Sequence, residues 1–219
     1  MPRKNRSFQA GAIYHLIPRF VANEWFIRGP LARIHYLKLL GEGLANTDWR
    51  CLGFAVMSNH IHLAVLAGKA RLATWIADPH SQFAEYVNQT HHRIGAVFTR
   101  GPKSVPYSEK GLAALLSYIH RNPVRAGVVE HPGQTDWTSH LMYAGKITPP
   151  PWLDVQRALA ITGLGQGSEL AAWIDGNVVD RERLAVFRRQ RRRRGRQSLC
   201  DGMADYDPGF GGEYELPAI

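Results

Sequence analysis

Asn59-His60-Ile61-His62-Leu63 is the segment of this sequence whose residue types and spacing most suggest chemistry. On a β-strand alternate side chains share a face, so His60 and His62 project together while Ile61 turns the other way. Two neutral imidazoles at that separation make half of a divalent-metal site, and a strand holds them rigidly. A second segment, Leu115-Leu-Ser-Tyr118-Ile-His-Arg-Asn122-Pro, reads as the end of an amphipathic helix. Leu112, Leu115, Leu116 and Ile119 form its apolar stripe, and Tyr118 lies off that stripe. Asn122 follows four residues later and so falls one turn on, on the same side. A tyrosine phenol can attack a phosphodiester and hold the cut end covalently. A metal beside it would neutralise the phosphate and orient it for in-line attack. Taken singly, the histidine pair is a weak signal and the tyrosine is an ordinary helix residue.

The elements that must position these groups follow from periodicity. Ala12-Ile-Tyr-His-Leu-Ile17 is β-branched and aromatic and predicts a first strand. Leu31, Ile34, Leu37, Leu40 and Leu44 recur at helical spacing and predict a helix over about 30–45. Trp49–Met57 reads as a buried strand, and His60–Leu66 as its antiparallel partner across Ser58-Asn59. A helix over about 72–92 follows, with Asp78-Pro79 as a possible interruption and Trp75, Ile76, Phe83, Tyr86 and Val87 as core positions. Ala96–Thr99 is short and strand-like, and Ser108 is placed to cap the next helix, which Pro123 should end or kink. The order predicts an α+β fold, an antiparallel sheet flanked by helices. Gly163-Leu-Gly-Gln-Gly167 has no strand before it and is discounted as a phosphate loop.

Charge points to the class of partner. The 219 residues carry a formal net charge of +9. Residues 181–196 hold nine Arg and one Glu, whereas 197–219 hold five acidic residues and no Lys or Arg. A basic body with an arginine cluster is the electrostatic footprint of a nucleic-acid binder. Arg188, Arg189, Arg191, Arg192, Arg193 and Arg194 are candidate DNA-contacting residues in that cluster. From about 191 onward the composition predicts disorder. Pro149-Pro-Pro151 marks a boundary, giving a domain over 1–150, a helical extension over 151–190 and a basic-then-acidic tail over 191–219. No apolar run is long enough for a transmembrane helix, and the basic N-terminus lacks the apolar stretch of a secretory signal. Cys51 and Cys200 stand far apart without a CxxC pairing, which fits a reducing cytosol.

His60-Ile-His62, closing a Met-x-Asn-His-x-His-Leu strand, resembles the HUH motif, and Tyr118-Ile-His-Arg-Asn-Pro-Val-Arg-Ala-Gly127 resembles the nucleophile helix of single-tyrosine HUH transposases. Tyr14-His15 and Asp136-Trp-Thr-Ser139 are similar to segments of the REP-associated tyrosine transposases in particular. The resemblance spans about residues 1–155. It implies a ferredoxin-like or RRM-like sheet, Mg²⁺ or Mn²⁺ as cofactor, and single-stranded DNA, often with a hairpin, as substrate. It also implies cleavage to a 5′-phosphotyrosine and a free 3′-hydroxyl, in a cytoplasmic, nucleoid-associated bacterial protein. By this resemblance His60 and His62 are metal ligands, Tyr118 is the nucleophile, and Asn122 supplies a third, amide-oxygen ligand. The chain departs from the family at Ser58, commonly Pro, and at Arg19-Phe20-Val21, where many members carry Arg-Gly-Asn. His91, His92 and His120 take no family role and are expected at the surface or facing DNA. The competing reading is a domesticated, non-catalytic binder of hairpin DNA or RNA, which needs the basic surface but not His60, His62 and Tyr118 together. A relaxase or replication initiator is a third reading. Monomer and homodimer both stay open.

Overall fold

The computed structural model describes residues 8–176; the arginine cluster and the acidic end lie outside the described residues, as does the predicted disorder there. Four strands, β1 (Ile13–Ile17), β2 (Arg50–Val56), β3 (Ile61–Leu66) and β4 (Lys103–Tyr107), form one sheet in the order β2-β3-β1-β4. Every neighbouring pair is antiparallel. Two interleaved βαβ crossovers produce this order: α1 (Gly29–Ala45) links β1 to β2, and α2 (Ala73–Thr90) links β3 to β4. This is the split βαβ arrangement of a ferredoxin-like sheet, and the α+β expectation stands.

The two faces of the sheet bury different sets. Leu16, Cys51, Phe54, Val56, Ile61, Leu63 and Val65 face α1 and α2 with Leu37, Leu40, Trp75 and Phe83. Ile13, Leu52, Ala55 and Ala64 face the elements after β4: α3 (Leu112–His120), α6 (Val155–Thr162) and α7 (Gly167–Gly176). Between these run the short helices α4 (Asn122–Ala126) and α5 (His140–Tyr143). Cys51 is free and buried.

Two close approaches explain local sequence. The β2–β3 register slips between Cys51 and Gly53, an extra residue that bends the strand under α3. A Cβ on Gly53 would lie 2.4 Å from Leu116 Cδ2, so only glycine lets α3 seat there. On the other face a Cβ on Gly43 would lie 2.2 Å from the Trp75 carbonyl oxygen and 2.7 Å from Pro79 Cγ. Pro79 therefore sits inside a continuous α2 where that helix presses on α1.

Several expectations need correction. Leu31 is exposed; the buried face of α1 runs instead through Ala32, Arg33, Tyr36, Leu37, Leu39, Leu40 and Leu44, because Pro30 at the first turn turns Leu31 outward. Ser108 caps nothing: a 3-10 turn, Glu109–Gly111, stands between it and α3. Ala96–Thr99 adds a single bridge, Phe20 to Phe98, and the fourth strand comes later, at Lys103–Tyr107. The helix ends at His120, and Pro123 opens the separate α4 after Arg121. His120 is fully buried, donating to or accepting from Ser139 Oγ through Nε2 at 2.7 Å, so it neither reaches the surface nor faces DNA. His91 and His92 are exposed.

Candidate active site

The face of the sheet under α3 turns from apolar to polar at one end, and the register sets which residues meet there. His15 on β1 stands opposite Ala64 on β3, so its ring lies beside that of His62, two residues along the same face. Ala55 is opposite His62 on the β2 side. Arg19 forms an isolated bridge opposite His60, and Lys103 pairs with Ile17 at the β4 edge. By alternation His15, Arg19, His60, His62 and Lys103 share one face.

The three imidazoles form a chain. His15 Nε2 lies 2.7 Å from His62 Nδ1, and His62 Nε2 lies 2.9 Å from His60 Nε2. Asn59 Oδ1 contacts His60 Nδ1; an amide oxygen only accepts, so the His60 proton sits on Nδ1. Two tautomer patterns satisfy the rest of the chain. In one, His15 donates to His62, and His62 donates to His60. In the other, His62 Nδ1–H donates to His15, and the Nε2 lone pairs of His60 and His62 face the same space. Burial lowers His15 to about 4, with the charges of Lys103 and Arg19 adding to it. Burial also holds His62 well below the usual imidazole range, helped by His60, His15 and Arg19. Both rings are therefore neutral at pH 7, as metal ligation requires.

Tyr118 stands over this chain. Its ring centroid is 5.6 Å from that of His15 and 5.6 Å from that of His62, edge-on to both. The stripe of Leu112, Leu115, Leu116 and Ile119 is fully buried and fixes the rotation of α3, leaving Tyr118 half-exposed. The guanidinium of Arg125 on α4 lies 4.6 Å from the Tyr118 ring centroid. Asn122 folds back at the α3–α4 junction, its Nδ2 donating to the Tyr118 carbonyl at 2.9 Å. Its side chain lies close enough to His62 to oppose the lowering of that imidazole's pKa, and with Nδ2 committed to the Tyr118 carbonyl, Oδ1 remains as its acceptor. Arg121 beside it donates to the Ile174 carbonyl at 2.9 Å, tying this junction to α7.

The donor set suits a divalent ion. Two cis ligands each about 2.1 Å from an octahedral ion stand about 3.0 Å apart. The 2.9 Å between the two Nε2 atoms matches that separation. Among the described residues no three His, Cys, Asp or Glu side chains form a metal cage, so the pair needs an amide or an outside ligand to complete it.

No protein-family model matches the sequence, and no curated protein matches it. A solved REP-associated tyrosine transposase bound to a REP hairpin superposes with a TM-score of 0.52 at 12% identity, over 64% of this chain and 82% of that one. The described residues share the fold of that transposase. A candidate transposase from Deinococcus radiodurans R1 aligns with a TM-score of only 0.38 at 16% identity, over 55% of this chain and 97% of the other. The structure brings His60, His62, Tyr118 and Asn122 to one end of this face of the sheet. Arg188, Arg189, Arg191, Arg192, Arg193 and Arg194 lie outside the described residues. The sequence pattern assigned no role to His15; its histidine-bearing strand was visible, but its pairing beside β3 was not. Tyr143, another phenol near α3, donates to the Leu52 carbonyl and is buried, which raises its pKa and removes it as a nucleophile. No helix among the described residues is long and apolar enough to cross a membrane.

Proposed function

We propose that this chain is a metal-dependent, single-tyrosine transposase acting on single-stranded DNA, with hairpin-bearing strands as substrate. The observation that carries the reading is the placement of the half-exposed Tyr118 ring 5.6 Å from His62, whose Nε2 pairs with His60. The fold shared with a transposase that was solved bound to a REP hairpin supports it.

Tyr118 Oη attacks the phosphorus of a phosphodiester and gives up its proton. A new O–P bond forms as the P–O3′ bond breaks; the leaving 3′ oxygen takes up a proton and departs as a free hydroxyl. The product is a 5′-phosphotyrosine, and attack by a 3′-hydroxyl on that ester reverses the step and rejoins the strand. Stripe burial holds α3 in place so that Tyr118 approaches in line. His60, His62 and Asn122 Oδ1 are the atoms that would hold Mg²⁺ or Mn²⁺. The chemistry a bound divalent ion supplies is charge neutralisation and orientation of the phosphate. His15 keeps the His62 proton on Nδ1 so that Nε2 stays available, the role an outer hydrogen-bond partner plays for a ligating imidazole.

The test is cleavage of a pool of single-stranded hairpin oligonucleotides in Mg²⁺ or Mn²⁺, with chelator as control. Wild type should cut only with metal, and His60→Ala and His62→Ala should each abolish cutting. Cleavage that persists in either variant, or in chelator, contradicts the reading.

A further inference from the structure

The elements that form this site carry charges of one sign. Residues 1–23, 49–77, 86–108 and 110–129 contain no Asp or Glu, and these stretches supply all four strands, the Ser58-Asn59 turn, α3 and α4. The atoms placed to hold an ion, two imidazole nitrogens and an amide oxygen, are all neutral. Arg19 and Lys103 flank them on the same face, both exposed. Neither forms an ion pair with a described residue. Arg125 adds a third cation over the Tyr118 ring. A divalent ion entering this site alone would keep its full charge beside Arg19 and Lys103, and the strands, α3 and α4 that form the site carry no Asp or Glu. Mg²⁺ and Mn²⁺ favour oxygen ligands and are ordinarily held through carboxylates or substrate phosphates. On the strands and helices that form this site only the second source exists.

We infer that Arg19 and Lys103 form a phosphate-binding pair at the mouth of the histidine cluster, and that the phosphodiester they hold supplies the negative charge the metal site lacks, so that metal and DNA load together. This rests on the metal and substrate assignments proposed above and deepens them. The two cations come from neighbouring strands, Arg19 just beyond β1 and Lys103 opposite Ile17 on β4, so they approach a phosphate from one side while the imidazoles and Tyr118 approach from the others. Arginine suits a two-pronged grip on phosphate oxygens and lysine acts as a point charge. By linkage, whatever factor DNA adds to metal affinity, metal must add to DNA affinity.

The experiment uses the full chain carrying Tyr118→Phe, which cannot cut, with Mn²⁺ followed by electron paramagnetic resonance and a thymidine homopolymer of about 20 nucleotides followed by fluorescence anisotropy. The homopolymer is enough because phosphate contacts carry no sequence information. We expect saturating homopolymer to tighten Mn²⁺ binding at least about tenfold, and saturating Mn²⁺ to tighten homopolymer binding by the same factor. Adding Arg19→Gln and Lys103→Gln together should weaken homopolymer binding. It should also reduce the slope of log affinity against log salt by about 1.4, two contacts at about 0.7 each. Mn²⁺ binding to the DNA-free variant should be no weaker than before. Asn122→Asp, which builds in the missing charge, should tighten Mn²⁺ binding without DNA and shrink the coupling. Equal Mn²⁺ affinity with and without homopolymer overturns the co-loading, and an unchanged salt slope in the double variant overturns the phosphate pair. Absence of Mn²⁺ binding in both arms removes the metal assignment of the proposed function itself, and this inference with it.

Discussion

Replacing His15 by Phe keeps a ring of similar size in a site that is only 4% exposed, and removes both ring nitrogens, among them the Nε2 that pairs with His62. In the wild-type protein His15 Nε2 sits 2.7 Å from His62 Nδ1. Without it, a His62 that keeps its proton on Nδ1 buries an unpaired N–H, which costs about 1–3 kcal/mol. The alternative is to move the proton to Nε2, which removes the lone pair facing His60. Either way metal binding is weakened, by the unpaired N–H in one case and the lost lone pair in the other, and losses of outer hydrogen-bond partners typically cost about 10–100-fold in metal affinity. The expected result is a Mn²⁺ Kd raised within that range, measured with homopolymer in the Tyr118→Phe background. Urea unfolding should fall by no more than the cost of one buried unpaired group. His15→Gln, whose side-chain carbonyl can accept from Nδ1–H, should recover part of the affinity. If His15→Phe binds Mn²⁺ as tightly as the parent, the His62 tautomer does not depend on His15 and the positioning argument is wrong.

Three further outcomes follow from the same geometry. Gly53→Ala places a Cβ against Leu116, two residues before Tyr118, and should cost about 1–3 kcal/mol of stability by overpacking, with α3 displaced and cleavage reduced as well; a variant of wild-type stability and activity would show that the helix is not seated as described. His80 stacks on Phe98 at 4.0 Å and burial lowers its pKa to about 4. Between pH 6.5 and 4 the unfolded chain therefore takes up a proton that the folded chain refuses, so stability falls as pH drops through that window, and His80→Phe should lessen the fall between urea midpoints at pH 7 and pH 4.5. Truncation near residue 180, which removes the arginine cluster, should weaken binding to all sequences alike and flatten its salt dependence while sparing cleavage at saturating DNA; a change in the preferred sequence would instead make the cluster a recognition element.

What the sequence revealed of this site was what short-range periodicity encodes. His60 and His62 at strand spacing, and Tyr118 off a leucine stripe, needed only the two backbone repeats to be placed. What it hid depends on pairing between distant strands. His15 becomes a neighbour of His62 only when β1 inserts between β3 and β4. Arg19 and Lys103 join the same face only through that insertion. β4 itself was missed because Lys103-Ser-Val-Pro-Tyr107 is a half-exposed edge strand with a proline inside it, and proline demotes a strand on sequence grounds while an edge tolerates it. His120 was expected at the surface or facing DNA because no family role fell to it, yet the α3–α5 contact encloses it against Ser139 and His140. The short bulge at Gly53 leaves no periodic trace at all, although the helix that carries Tyr118 depends on it.

The central claim is that Tyr118 forms the covalent bond to DNA. The most direct measurement is mass spectrometry of the protein after reaction with single-stranded hairpin oligonucleotides and Mn²⁺, followed by digestion and mapping of the nucleotide-bearing peptide. The account predicts one adduct, on the peptide containing Tyr118, and none from Tyr118→Phe, which should still bind the oligonucleotide with near-parental affinity. An adduct that persists in Tyr118→Phe, or that maps to Tyr107 at the far side of His15, would contradict it.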